Sequence, residues 1–410
     1  MDRRERKSYF GYANRMPQEI LARALQQAAQ SEPAVQAAAL LHVARVLTAF
    51  DREDAVRVLD EGLAIAATLS GLDKDCILPE AVVLSAAVNP ERALRLVDSE
   101  SSMRFRHHVP ERLVQALLDY GYIEQAASYL IGAVKDSEYP FVAVPNVIQK
   151  CNEETMRMNV LRSAVHAWRE FHHDRPENVT HQFLVVFSRH WQMLPREEAT
   201  QLTAEIVSSI IAQPDTPIGA RINDVEFSSM QQFHLFEILN VLRQLEPELT
   251  DSLLLARPQL AAAAARYPLG IDSIMNEPHP SAPPAKGEGF VMGGFGGSSN
   301  DLPQMIAMFE AQRQGNFEPM LREALRLYSE DSAATSPNRV PRACWPSTQA
   351  FRDLLYTASK TLGREAAAYL DRIPDRDARL FAEIEFAAAL AGLRQVNVVR
   401  SVYRASPAFE

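Results

Sequence analysis

The densest run of chemically versatile side chains in this 410-residue chain is His166-Ala167-Trp168-Arg169-Glu170-Phe171-His172-His173-Asp174. On an α-helix, residues three and four apart share a face. His166, Glu170 and His173 therefore offer one carboxylate and two imidazoles on one side. Glu-x-x-His is the spacing by which di-iron carboxylate bundles project ligands inward, but such sites need a second copy and two more glutamates. The only partner in the chain is the reversed His234-Leu235-Phe236-Glu237. The Arg175-Pro176 step places the helix end near His173, where imidazoles meet the negative end of the helix dipole. The reading favoured here is a capped helix end with a solvated face. His166, Glu170 and His173 are retained as the metal-ligand alternative.

Other motifs carry less. Gly293-Gly294-Phe295-Gly296-Gly297-Ser298-Ser299 precedes an apparent helix, and backbone amides at such a turn can hold phosphate. No lysine follows the glycines, and a proline-rich tract stands where a dinucleotide fold needs a strand. The stretch reads as linker, although Phe290, Val291, Met292 and Phe295 suggest a short docking segment. His107-His108 are chain neighbours and do not face each other. There is no Gly-x-Ser-x-Gly. The three cysteines, Cys76, Cys151 and Cys344, are far apart and odd in number. A disulfide framework or structural zinc site is not expected from them. Asn178-Val179-Thr180 fits the glycosylation pattern, which has meaning only in a secretory context. Trp168, Trp191 and Trp345 are read as packing residues. No catalytic residue, cofactor-binding residue or cofactor is assigned.

Composition bounds the function class. The chain is 47% hydrophobic and 23% charged, with net charge −10, which is ordinary globular material. The one basic block is Arg3-Arg4-Glu5-Arg6-Lys7, so a nucleic-acid partner is not expected. No apolar run approaches the roughly 20 residues of a membrane helix. No apolar segment follows the basic start, which gives a cytoplasmic expectation, or an exported one if a leader was removed.

The elements that must position these residues are helices. Ala55, Val58, Leu59, Gly62, Leu63 and Ala66 fall on one helical face, with Asp51 placed to cap it. Ala37, Leu40, Leu41, Ala44 and Leu47 form another such face, as do Leu380, Ile384, Ala387, Ala388 and Ala391, after which Gly392 follows. Asn89-Pro90-Glu91 reads as cap, proline and first-turn acid. The best strand candidate, Phe141-Val142-Ala143-Val144, is bracketed by Pro140 and Pro145 and reads as a connection.

A weak repeat follows these helices. Glu53-Asp54-Ala55, Glu91-Arg92-Ala93, Glu124-Gln125-Ala126 and Glu197-Glu198-Ala199 each precede an apolar continuation, with alanines 38, 33 and 73 residues apart. A unit of that length is one helical hairpin. Leu113 to Pro140 resembles a tetratricopeptide-type hairpin, with Gly121 at the turn, Ala126 at the close-packing position, then Leu130, Ala133 and the closing Pro140. Gly315-Asn316-Phe317-Glu318 and Gly363 to Leu370 echo it, although no segment carries the full Trp-x-x-Leu-Gly-x-x-Tyr pattern. The resemblance implies a protein- or peptide-binding scaffold.

The expected fold is all-α, an α-solenoid of stacked antiparallel helix pairs. Its expected divisions are a polar segment 1–15, a helical array 16–275, a flexible linker 276–300 and a C-terminal helical block 301–410. In 276–299, 13 of 24 residues are Pro, Gly or Ser. The expected function is a non-enzymatic interaction scaffold with a protein or peptide ligand. The alternative is a metal-dependent enzyme using the 166–173 face.

Overall fold

A computed structural model describes residues 3–99, 109–135, 139–173, 176–215, 217–222, 225–275, 311–333 and 340–395. Among the described residues the secondary structure is helical, except for one two-stranded ribbon. In chain order the helices begin with α1 (Arg3–Ala28), α2 (Pro33–Leu47), α3 (Arg52–Thr68), α4 (Gly71–Val88), α5 (Pro90–Ser99) and α6 (Val109–Asp119). There follow α7 (Ile123–Gly132), α8 (Val144–Lys150), α9 (Glu154–Phe171), α10 (Pro176–His190) and α11 (Arg196–Ala212). After the ribbon strands β1 (Pro217–Ile222) and β2 (Val225–Ser229) come α12 (Met230–Glu237), α13 (Leu239–Leu245), α14 (Pro247–Ala256), α15 (Pro258–Arg266) and α16 (Ile271–Met275). The last three are α17 (Glu318–Ala333), α18 (Pro346–Leu362) and α19 (Arg376–Leu390). No helix among the described residues is long and apolar enough to cross a membrane.

Local signals place many of these helices. The Asp51 carboxylate accepts hydrogen bonds from the Glu53 and Asp54 N–H groups at 3.0 and 3.1 Å, satisfying two of the orphan donors of α3. Ala55, Val58, Leu59, Gly62 and Ala66 are its buried face. A Cβ at Gly62 would stand 3.2 Å from Leu40 Cβ and 3.3 Å from Leu41, so the missing side chain is what lets α3 lie close on α2. After α6, Gly121 adopts φ +83°. Its N–H reaches Leu118 O and the Tyr122 N–H reaches Leu117 O, a Schellman stop that needs the left-handed conformation.

The chain forms two compact units. The first combines 1–122 with 303–410, a division that differs from the expected one, in which the C-terminal block stood apart from the N-terminal array. The reason lies in α2, which is buried along Ala34–Val35 and Ala37–Val46. A helix buried on all its faces must be covered on several sides. Helices α3 and α4 cover part of it, and α19 packs on both α1 and α2. The expected polar segment 1–15 lies largely within α1. The linker 276–300, with Phe290, Val291, Met292 and Phe295, falls outside the described residues, as do His107 and His108.

The same return of the C-terminal helices corrects the cysteine reading. Cys76 on α4 and Cys344, 268 residues later, form a disulfide with Cα atoms 6.4 Å apart. Wide spacing in sequence argued against a bridge, but α4 and the segment around Cys344 belong to the same unit. Cys151 is the remaining, buried thiol.

The second unit, 123–302, contains the ribbon. Its antiparallel register pairs Ala220 with Phe227, Arg221 with Glu226 and Ile222 with Val225. The sequence reading missed it, although Ile218, Ala220 and Ile222 alternate with polar or small residues as a strand requires. Phe141–Ala143 is instead a 3₁₀ turn leading into α8. Trp168 packs in this unit's core, stacked on Phe183 at a centroid distance of 5.1 Å.

Candidate metal centre

Helix α12 starts where the Ser229 hydroxyl, at the end of β2, accepts a hydrogen bond from the Gln232 N–H. Three residues apart on this helix, His234 and Glu237 share a face and are both buried. Phe227 and Phe236 pack beside them with ring centroids 5.0 Å apart. Helix α10 packs against α12 and supplies His181. The three residues offer one ligand atom each within 4.8 Å of one another, and they are the only such group of His, Cys, Asp or Glu among the described residues.

The geometry of the triad is asymmetric. His181 Nδ1 lies 3.0 Å from one Glu237 oxygen and 3.2 Å from the other. The His181 and His234 rings run nearly parallel, 15° apart, with centroids at 6.1 Å. The His181 side chain is 44% exposed and forms the rim. His234 is fully buried, and neither ring nitrogen has a hydrogen-bond partner among the described residues. A buried polar group without a partner costs about 1–3 kcal/mol, so this imidazole is held in place by its apolar neighbours at a loss.

The electrostatics fit ligation. Burial, reinforced by the nearby His181, pushes His234 down to about 4, leaving it neutral, the form that binds metals. Burial pushes the Glu237 carboxyl up, against the opposing hydrogen bond from His181. His181 is raised, first by that same hydrogen bond and against its own partial burial. Ligand atoms around a tetrahedral zinc lie about 3.4 Å apart.

The sequence-predicted candidates lie elsewhere. His166 and Glu170 are on the exposed side of α9, and His173 is exposed beyond its last residue, Phe171. They are not brought together as a ligand group. The neighbouring His172 stacks on Trp168 at 4.6 Å, and its Nδ1 lies 2.9 Å from the Trp168 carbonyl oxygen. An imidazole thus meets a carbonyl at the helix end. The sequence offers His234 and Glu237 only as a reversed partner motif for the 166–173 face. What it missed was His181, on another helix, for which no local signal exists.

A second polar cluster lies in the first unit and is closed to solvent. His42 and Arg45 from α2, Glu80 from α4, Arg352 from α18 and Glu385 from α19 meet there, each with a side chain no more than 5% exposed. Glu385 pairs with Arg45 at 2.8 Å and with Arg352 at 3.1 Å. Glu80 pairs with Arg352 at 3.1 Å and with His42 Nε2 at 2.5 Å. Burial alone would push both carboxyls up. His42 and Arg352 override it at Glu80, and Arg45, His42 and Arg352 override it at Glu385, so both lie below the usual carboxylate range. The two arginines and two glutamates balance in charge. Removing one partner of such a buried pair leaves an uncompensated charge in the interior.

Comparisons with protein-family models, with curated proteins and with solved structures find no match to this chain, so its own residues carry the functional reading.

Proposed function

We propose that this is a helical metalloprotein whose second unit binds a divalent transition metal, zinc foremost, through His181, His234 and Glu237. The observation that carries this reading is His234: wholly buried, with both nitrogens unpartnered among the described residues, and with a ligand atom within 4.8 Å of a second imidazole and a carboxylate. A site with no ligand role would be better filled by leucine. Two imidazoles and one carboxylate suit zinc, iron or nickel and disfavour magnesium and calcium, which take oxygen ligands. Three protein ligands leave a fourth position for water, which zinc activates near neutral pH. The half-exposed His181 puts the site within reach of solvent.

The test is metal titration of the full-length protein. One equivalent of zinc should bind with at least micromolar affinity, and cobalt in its place should give a tetrahedral visible spectrum. His234→Ala and Glu237→Ala should each abolish both, while His166→Ala and His173→Ala leave them intact. Wild-type protein that binds neither ion refutes the proposal.

A second reading, an interaction scaffold of the tetratricopeptide-like helical-hairpin class, is favoured by the packing of chain neighbours on one another: α2 with α3, α3 with α4, α4 with α5, and α9 with α10. Stacked arrays are built in this way, and they present extended faces to protein or peptide ligands. The contacts of α19 with α1 and α2 go beyond nearest neighbours, so an array reading applies to runs of helices and not to the first unit as a whole. In-cell crosslinking followed by mass spectrometry tests this reading, which requires a recurrent partner on these helices.

A further inference from the structure

We propose that Cys76 and Cys344 form a reversible redox fastener in the first unit, closed by exchange with a disulfide oxidant, which leaves as two thiols, and opened by a dithiol reductant, whose state sets how firmly α18 is held against α4. This inference is independent of the metal site, which lies in the other unit and uses no cysteine.

The placement of the two sulfurs carries the argument. Cys76 sits on α4 one turn before Glu80, so the two share a face. Cys344 ends the short 3₁₀ turn Arg342–Cys344, directly ahead of α18. Arg352, further along α18, reaches Glu80 at 3.1 Å. Helix α4 is therefore tied twice, by a covalent bond to the turn ahead of α18 and by an interior ion pair to α18 itself. The disulfide pins the start of α18, and the ion cluster depends on where α18 lies.

Accessibility gives the reaction a direction. Cys76 is buried, at 7% exposure, and Cys344 is only partly buried. The thiolate of an incoming dithiol attacks the Cys344 sulfur, forming a mixed disulfide and releasing Cys76 as thiolate, which takes up a proton. The second thiol of the reductant then displaces Cys344 as its thiol. One protein disulfide becomes two thiols, and one dithiol becomes one cyclic disulfide.

The turn has other anchors, which is why opening is reversible. The Thr348 hydroxyl donates to Arg342 O at 2.7 Å, the Trp345 indole N–H to Val340 O at 3.1 Å, and the Ser347 N–H to Asp331 at 2.9 Å. Arg342 also pairs with Asp375 and Asp377 at 3.3 and 3.4 Å. These contacts hold the Cys344 turn in place after reduction, and the Arg352–Glu80 pair still ties the helix behind it to α4. The third cysteine, Cys151, is buried in the other unit.

The test uses the full chain after treatment with oxidised glutathione. Thiol titration in denaturant should find one reactive thiol before dithiothreitol and three after it. Hydrogen exchange of the peptide covering 346–362 should accelerate at least tenfold on reduction and recover on reoxidation, with 196–212 unchanged as the internal control. Cys76→Ser should show the fast exchange in both conditions. Three thiols in the glutathione-treated protein, or equal exchange of 346–362 in the two states, overturns the proposal. Should Cys76→Ser fail to fold, the response of the wild-type protein decides alone.

Discussion

Replacing His234 by leucine tests whether the buried imidazole is there for ligation. The side chain is fully buried with two unpartnered nitrogens. Each such atom costs about 1–3 kcal/mol, whereas an apolar group of similar volume leaves nothing unsatisfied. Allowing for imperfect packing of the branched side chain, metal-free His234→Leu should be more stable than metal-free wild type by about 1–2 kcal/mol at pH 7.5. The pH dependence sharpens the test. His234 is pushed down from 6.5 to about 4. A histidine depressed in the folded state binds its proton more readily when unfolded, so stability is full above the unfolded value and falls as pH drops toward the folded one. That shift amounts to about 3 kcal/mol lost by wild type between pH 7.5 and pH 4, and the variant should not lose it. Urea unfolding in EDTA at a series of pH values measures the difference between the two proteins, in which all other titrating groups largely cancel. The advantage of His234→Leu should grow from about 1–2 to about 4–5 kcal/mol across that range. A difference that stays flat with pH, or a variant less stable than wild type at every pH, would refute the claim that this imidazole is dry and unpartnered.

Zinc at one hundred times its dissociation constant should stabilise wild type by about 2.7 kcal/mol and His234→Leu not at all, read by thermal unfolding with and without EDTA. In the first unit, Glu385→Gln takes from Arg45 its carboxylate partner and leaves Arg352 with Glu80 alone, and should cost about 3–5 kcal/mol by urea unfolding; a loss below about 1 kcal/mol would mean that the cluster is hydrated. Because Glu80 and Glu385 are both held below the usual range, their contribution is present above about pH 4.5 and lost as pH falls below it, so acid unfolding should begin there and be shallower in Glu385→Gln. Gly62→Val should cost about 1–3 kcal/mol by forcing α3 away from Leu40 and Leu41, with a lowered thermal midpoint. Asp51→Ala removes the two cap hydrogen bonds of α3 and should cost about 1 kcal/mol in the same assay.

The all-helical class, the buried face Ala55, Val58, Leu59, Gly62 and Ala66, the Asp51 cap and the stop at Gly121 could all be read from the amino-acid sequence. Each depends on residues within a turn or two of one another, where periodicity, capping and left-handed backbone preference act. What helix packing alone decided spans longer distances. His181 meets Glu237 across 56 residues, Arg45 meets Glu385 across 340, and Cys76 meets Cys344 across 268. An amphipathic pattern says that a face will be covered but not by which helix. Even α2, where His42 and Arg45 interrupt an otherwise apolar and small-residue run, shows only that buried polar groups need partners. That those partners come from α4, α18 and α19 follows from the return of the C-terminal helices onto the N-terminal ones, an arrangement set by the fit of whole helix surfaces.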